Sequence, residues 1–304
     1  MKELLIKTKN LDFSYTKGKK DIKNLSLEVP KGSIYGFLGP NGSGKTTTIR
    51  LLLGLLKKNG GTIEIFDQLI EKSRIESLSK IGALIENPSL YENLNAHENL
   101  KIAANYRGNI SKERIDEVLE IVKLTYAKGK KVKAYSLGMK QRLGLAISLL
   151  SNPELLILDE PTNGLDPKGI IEMRSLIKEL NQEHGTTIFI SSHLLSEIEK
   201  TCTHVGIIRA GEMLFQDTVK VLQESQNDTL KVEIETNDIK TVASVLETLS
   251  FSSEQVNDHT IATTLQHKKD ITTVIDTIRN RKVEIYQIKI MNNLEELFLS
   301  LTEN

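Results

Sequence analysis

The stretch Gly39-Pro40-Asn41-Gly42-Ser43-Gly44-Lys45-Thr46 constrains this chain more than any other. It fits G-x-x-x-x-G-K-[ST], a pattern that requires a strand before it and a helix after it. Both flanks comply: residues 33–38 read as a β-run, and Ile49, Leu52, Leu53 and Leu56 recur at helical spacing. Glycine lets successive backbone N–H groups turn toward an anion, and the following helix adds about half a positive charge at its start. Residues 39–47, Thr47 included, are the candidate phosphate cradle. Lys45 is placed to reach β- and γ-phosphates, and the Thr46 hydroxyl to face Mg²⁺. A second protein contact for that ion is expected from an aspartate at a strand end, and Asp159 closes the apolar run 155–158. The loop by itself leaves kinases, GTPases, motors and transporters open.

The rest of the chain organises around that loop. Its 304 residues suggest roughly two domains. Residues 4–15, 22–29, 33–38 and 62–66 read as β-runs punctuated by glycine. From about 88 to 150 the pattern turns helical, with Ser111 as an N-cap ahead of the stripe Ile115, Val118, Leu119 and Val122. Strands return at 155–158, 186–190 and 205–209, and Asp166-Pro167 reads as an N-cap with proline at the first helical position. Beyond about 225 the composition shifts to Thr, Ser, Asn and charged residues. There, strands near 230–235, 254–257, 261–265 and 283–290 alternate with helices near 239–249 and after a capping Asp270, with one more helix at the end. The order β-α-β-β-α-β is a ferredoxin-like split pattern.

Four motifs then narrow the class. Tyr135-Ser136-Leu137-Gly138-Met139-Lys140-Gln141-Arg142 precedes Leu156-Ile157-Leu158-Asp159-Glu160-Pro161 and Asp166, and Ser191-Ser192-His193 follows. With the glycine-rich loop, in this order and spacing, the chain from about 4 to 220 resembles the ATP-binding cassette (ABC) ATPases. The resemblance implies an α/β fold: a P-loop cassette with a parallel sheet core, an antiparallel β region and a helical insertion, followed by a small α+β domain. It places the ATP-binding domain at 1–220, its insertion at about 88–150 and the accessory domain at 225–304. It also implies roles. Tyr15, with Phe13 close by, resembles the aromatic that stacks on adenine. Glu160 looks like the general base, and His193 like the switch histidine near the γ-phosphate. Ser136 and Gly138 resemble signature residues that act on the opposite subunit's ATP, and Asp166 the aspartate that crosses the dimer interface.

Two departures point to a branch. Glu86, in Glu86-Asn87-Pro88, stands where the family usually has glutamine near Mg²⁺, the attacking water and the membrane partner. A carboxylate is a harder metal ligand than an amide but repels the γ-phosphate, and a neutral drift from Gln to Glu is the other reading. Leu137 and Met139 replace the signature's common glycine and glutamine. Together these resemble the branch serving bacitracin export and lantibiotic self-protection, which implies a bacterial source and an antimicrobial peptide as substrate.

Composition sets further expectations. Forty basic residues against forty acidic ones give no global field toward nucleic acid or anionic lipid. The run 128–133, with Lys140 and Arg142, is a local basic face, read first as solvated and next as contacting a lipid head or a partner loop. A single cysteine excludes an internal disulfide and a thiolate cluster, and Cys202 reads as a small core residue. The start Met1–Lys7 holds an apolar run of three residues, short of the roughly 7–15 of a signal peptide, and no stretch reaches the ~18–20 needed to span a bilayer. The resemblance therefore implies a peripheral ATPase on the cytoplasmic face of the membrane. Its partners would be a second copy, forming an ATP-sandwich dimer, and separate transmembrane permease subunits through which it meets the membrane. The alternative is a non-transport ABC ATPase acting on a soluble assembly. Relatives of that kind carry two cassettes or a long coiled coil, and here there is one glycine-rich loop and no sustained heptads.

Overall fold

Three strands with no polar face decide the centre of the fold. Ile34–Leu38, Leu155–Asp159 and Thr187–Ser192 are buried along their whole length, the pattern of a parallel sheet covered on both sides. In a computed structural model describing residues 3–16, 18–108, 110–224 and 230–290, they form the middle of a six-stranded sheet. Its order is Glu212–Thr218, His204–Arg209, Ile34–Leu38, Thr187–Ser192, Leu155–Asp159 and Ile81–Leu84. All neighbours are parallel except Glu212–Thr218, which closes one edge as the return arm of a hairpin.

The period of two along these strands sorts their side chains into two cores. Leu156, Leu158, Ile188 and Ile190 face one core together with Leu100, Leu119 and Leu143 of the helical segment. Leu155, Ile157, Tyr35, Phe37 and Phe189 face the other, which also holds Ile49 and Leu52 of the helix Lys45–Leu52. There Phe189 lies parallel to Tyr35 at 5.6 Å between ring centres and meets Phe37 at 5.4 Å. That second core is shared with a separate antiparallel sheet of Leu4–Phe13, Ile22–Leu25, Glu28–Pro30, Gly60–Ile65 and Gln68–Leu69.

Several expectations shift at this level. The single run expected at 22–29 is two short strands, because the Thr8 hydroxyl donates to Leu25 O and accepts from Leu27 N, both at 2.9 Å, taking the place of a ladder bond. The helix after Gly44 ends at Leu52, and Leu56 packs from the turn beyond it. The helical segment holds Ala96–Arg107, Lys112–Ile121 and Leu137–Leu149, so residues 88–95 are irregular. The first of these helices starts at a capping box: Asn95 accepts from Glu98 N at 2.9 Å and Glu98 accepts from Asn95 N at 2.8 Å.

The chain divides into two compact units, Met1–Val219 and Lys220–Asn304. In the second, the four strands lie in the order Ser253–Gln255, Thr260–Leu265, Leu230–Thr236, Ile285–Ile290, every neighbouring pair antiparallel. The helices Ile239–Thr248 and Lys268–Asn280 pack Val242, Val245, Leu246, Val274 and Ile278 into a core with Val232, Ile234, Ile261 and Leu265. Asp270 does not cap its helix as expected. His267 is the N-cap residue, and Asp270, in the first turn, accepts from His267 N at 2.8 Å. The helix expected at the very end lies outside the described residues.

Ser111 is an N-cap as read, accepting from Arg114 N at 3.2 Å. Ser111→Ala should cost about 1 kcal/mol of stability in urea unfolding, and Ser111→Asn should restore most of it.

Candidate functional site

The glycine-rich loop takes the shape that its sequence demands. Gly42 and Gly44 lie at φ 79° and 108°, where a side chain is strained. Gly39 is needed for space instead: a Cβ there would sit against the carbonyl oxygen of Ile208 and 2.5 Å from Ser43 Oγ. The helix Lys45–Leu52 starts directly after this turn, so its unsatisfied N–H groups open into a cleft of about 910 Å³. Gly42, Gly44, Lys45, Thr46, Thr47 and Asn41 line that cleft, as do Glu86, Asn87, Asp159 and Glu160.

Asp159 comes to the cleft floor because the buried strand Leu155–Asp159 ends there. Its side chain is only 2% exposed, yet both carboxylate oxygens are satisfied. Thr46 Oγ1 donates to Oδ2 at 2.8 Å and Ser191 Oγ donates to Oδ1 at 2.5 Å. Glu160 follows at φ 48°, an unfavourable conformation for a residue with a Cβ, held by its N–H donating to the same Ser191 Oγ at 2.9 Å. Ser191 thus fixes the turn that sends Asp159 and Glu160 in different directions.

Glu160 is gripped from two sides. Lys45 Nζ lies 3.2 Å from Oε1, and His193 Nδ1 lies 2.6 Å from Oε2. Lys45 also donates to Gly39 O at 2.8 Å and Pro40 O at 3.2 Å, so its ammonium spans the loop mouth. Tyr15 is 54% exposed, stands edge-on to Phe13 at 4.8 Å, and puts its hydroxyl 3.4 Å from Thr47 Oγ1.

The remaining candidates are not drawn into this cleft. Ser136 caps the helix Leu137–Leu149, accepting from Met139 N at 3.3 Å, with Gly138 in that helix's first turn. Asp166 caps Pro167–His184, accepting from Gly169 N at 2.9 Å. Both features are helix N-termini and suit an anion or a facing chain. Cys202 packs against the core, and burial, with Glu197 nearby, pushes its thiol far above the usual range, which disfavours the thiolate. The basic face is partly neutralised, by Asp116 at Lys128, Glu92 at Lys140 and Glu172 at Arg142.

Three residues given no role from sequence belong to the site. Ser191 was visible beside His193 but carried no signal of its own. Gln141, buried in the cleft wall, leaves its Oε1 without a hydrogen-bond partner among the described residues. Arg50 pairs with Glu86 across 36 positions of sequence, which no local pattern could disclose.

Comparisons with known proteins agree with this geometry. A family profile described as ABC transporter matches residues 22–163. The ABC transporter ATP-binding protein YhcH of Bacillus subtilis (strain 168) is 41% identical over 302 residues, covering 99% of this chain and 95% of the relative. The bacitracin transport ATP-binding protein BcrA of Bacillus licheniformis is 53% identical over 210 residues, 69% of this chain and 68% of BcrA. The lantibiotic transport ATP-binding protein SrtF of Streptococcus pyogenes is 45% identical over 233 residues, 75% of this chain and 99% of SrtF. Among solved structures, the post-hydrolysis dimer of the cassette MJ0796 with ADP and Pi has a TM-score of 0.63 at 25% identity, covering 70% of this chain and 98% of that one. CbiO1 of Clostridium perfringens, part of the transporter complex cbiONQ, reaches 0.68 at 25% identity over 82% and 97%. The chain belongs to the ABC transporter family, as an ATP-binding, ATP-hydrolysing subunit.

Because the Gly39 backbone has no room for a methyl group, Gly39→Ala should weaken ATP binding by roughly tenfold or more, a consequence of misplacing the cradle. Equilibrium dialysis with radiolabelled ATP measures it.

Proposed function

We propose that this subunit powers the export or expulsion of an antimicrobial peptide, of lantibiotic or bacitracin type, in resistance or self-immunity. The observation that carries the reading is the carboxylate at position 86 in a cassette that is 53% identical to a bacitracin transporter subunit and 45% identical to a lantibiotic one. Residues 1–220 would be the motor domain, with its helical insertion at about 88–150, and 225–304 an accessory domain. No helix among the described residues is long and apolar enough to cross a membrane, so separate transmembrane permease subunits would carry the peptide and hold the motor at the cytoplasmic face.

The proposed chemistry is ATP hydrolysis between two copies of the chain. Residues 39–47 cradle the phosphates, and Tyr15 stacks on adenine. Ser136 and Gly138 of the second copy cap the γ-phosphate through their helix N-terminus, while Asp166 crosses between copies. The hard oxygen donors Thr46 and Asp159, 2.8 Å apart, suit Mg²⁺, which takes most of its remaining ligands from phosphate and water. Among the described residues no cluster of three or more His, Cys, Asp or Glu side chains forms a metal cage. Held by Thr46 and Asp159, the ion would supply positive charge to offset that of the phosphates.

The present contacts suggest how Glu160 becomes a base. Lys45 holds Glu160 Oε1 and two loop carbonyls. Phosphates arriving at the loop draw Lys45 to themselves and release Oε1, which can then orient water and take its proton. His193, on Oε2, keeps the carboxylate aimed and would act as the switch histidine near the γ-phosphate.

Glu160→Gln should lower kcat by about 10²- to 10⁴-fold, the usual weight of a general base, with ATP binding retained. Normal turnover would remove Glu160 from that role. The substrate reading is tested by purifying the chain with its membrane subunits and measuring ATPase activity with bacitracin and with a lantibiotic. Stimulation by either supports it, and a complex indifferent to both, or one made only with soluble proteins, contradicts it.

A further inference from the structure

Glu86 has a partner that the nucleotide machinery does not explain. Its backbone lies at φ 56°, just past the strand Ile81–Leu84, and its Oε1 accepts from Arg50 Nη2 at 2.7 Å. Arg50 sits in the last turn of the helix that begins at Lys45. Arg50 is five positions beyond Lys45, about 7.5 Å along the helix axis. The ion pair therefore draws the Glu86 carboxylate toward the far end of the helix, away from the end that meets phosphate.

Charge accounting gives this contact a purpose. Asp21, Glu86, Asp159 and Glu160 line the cleft that receives a polyanion, together with Lys19, Lys20, Lys23 and Lys45. Of these lysines, Lys20 pairs with Asp12 and Lys23 with Glu212, and Asp21 accepts from Tyr15 N. Asp159 is satisfied by two hydroxyls, and Glu160 by Lys45 and His193. Lys45 cannot also serve Glu86, since it is the cation that phosphate requires. A glutamine at 86 would need no counter-ion, whereas a glutamate adds a negative charge facing the nucleotide. The cation in contact with Glu86 is Arg50, at a helix C-terminus, where a cation is favoured and an unpaired carboxylate is not. Both side chains are solvent-accessible, 37% for Arg50 and 62% for Glu86, so the pair adds little to folding stability.

We infer that Arg50 is the positioning residue that makes a carboxylate at position 86 compatible with bound triphosphate, by neutralising it and holding it off the γ-phosphate. The inference rests on the reading of the cleft as the nucleotide site. Substitution of Arg50 releases the charge, and the cost falls on nucleotide affinity, through residue 86 alone.

The test is calorimetric titration of the full chain with AMP-PNP, a non-hydrolysable ATP analogue, with Mg²⁺ and with EDTA. Arg50→Gln should weaken binding by roughly three- to tenfold at low salt, less at high salt, as expected for charges separated by water-accessible space. Arg50→Lys should recover most of the loss. In the Glu86→Gln background, Arg50→Gln should cost less than about twofold, the signature of coupling between the two positions. An equal loss in both backgrounds would show that Arg50 acts on the helix itself, and no loss in either would show that the charge at 86 is not felt. Either result overturns the inference. A folded wild-type chain that binds no AMP-PNP would instead overturn the nucleotide reading, and this inference with it.

Discussion

The buried carboxylate of Asp159 is the contact on which the rest of the site depends. A carboxyl group at 2% exposure is tolerated only when its oxygens are satisfied, and here the partners are two hydroxyls from different elements. Thr46 comes from the first turn of the helix after the glycine-rich loop, and Ser191 from the neighbouring parallel strand. The bonds at 2.8 Å and 2.5 Å therefore tie loop, helix and two strand ends into one rigid corner. Glu160 inherits its direction from that corner, because the same Ser191 oxygen accepts its N–H. Lys45 and His193 then find Glu160 where the turn has put it.

The strands beneath this corner are buried along their whole length. Leu155–Asp159 and Thr187–Ser192 deliver functional groups only at their C-terminal ends, and everything before those ends is core. Their alternating side chains bind a helical layer on one face and an antiparallel sheet on the other. The signature helix Leu137–Leu149 and the helix Pro167–His184 stand in the first of these layers, each begun by a side-chain cap at Ser136 or Asp166.

Much of this was legible in the sequence because the decisive residues carry local signals. Glycines at 39, 42 and 44 have steric reasons to be glycine, Asp166 and Ser111 have caps to make, and strands buried on both faces read as unbroken apolar runs. The split pattern of the second unit was readable from the alternation of Leu230, Val232 and Ile234 with charged residues. What escaped depends on tertiary contact. Thr8 interrupts a strand 17 residues away, Arg50 meets Glu86 across 36, and Ser191 serves a turn 31 residues upstream. Asp270 was misplaced by one turn because a capping residue and the N3 residue of a capping box have the same chemistry, and only the backbone tells them apart.

The central proposal is that each chain would carry two halves of different sites: a cradle for its own ATP, and a helix N-terminus at Ser136 for the ATP of another copy. Sedimentation velocity on the Glu160→Gln chain, in Mg²⁺ with ATP and then with ADP, tests it most directly. The account predicts a species of twice the 34.1 kDa chain mass with ATP and the single chain with ADP. A mass that stays at one chain under both nucleotides, with ATP bound, would contradict it.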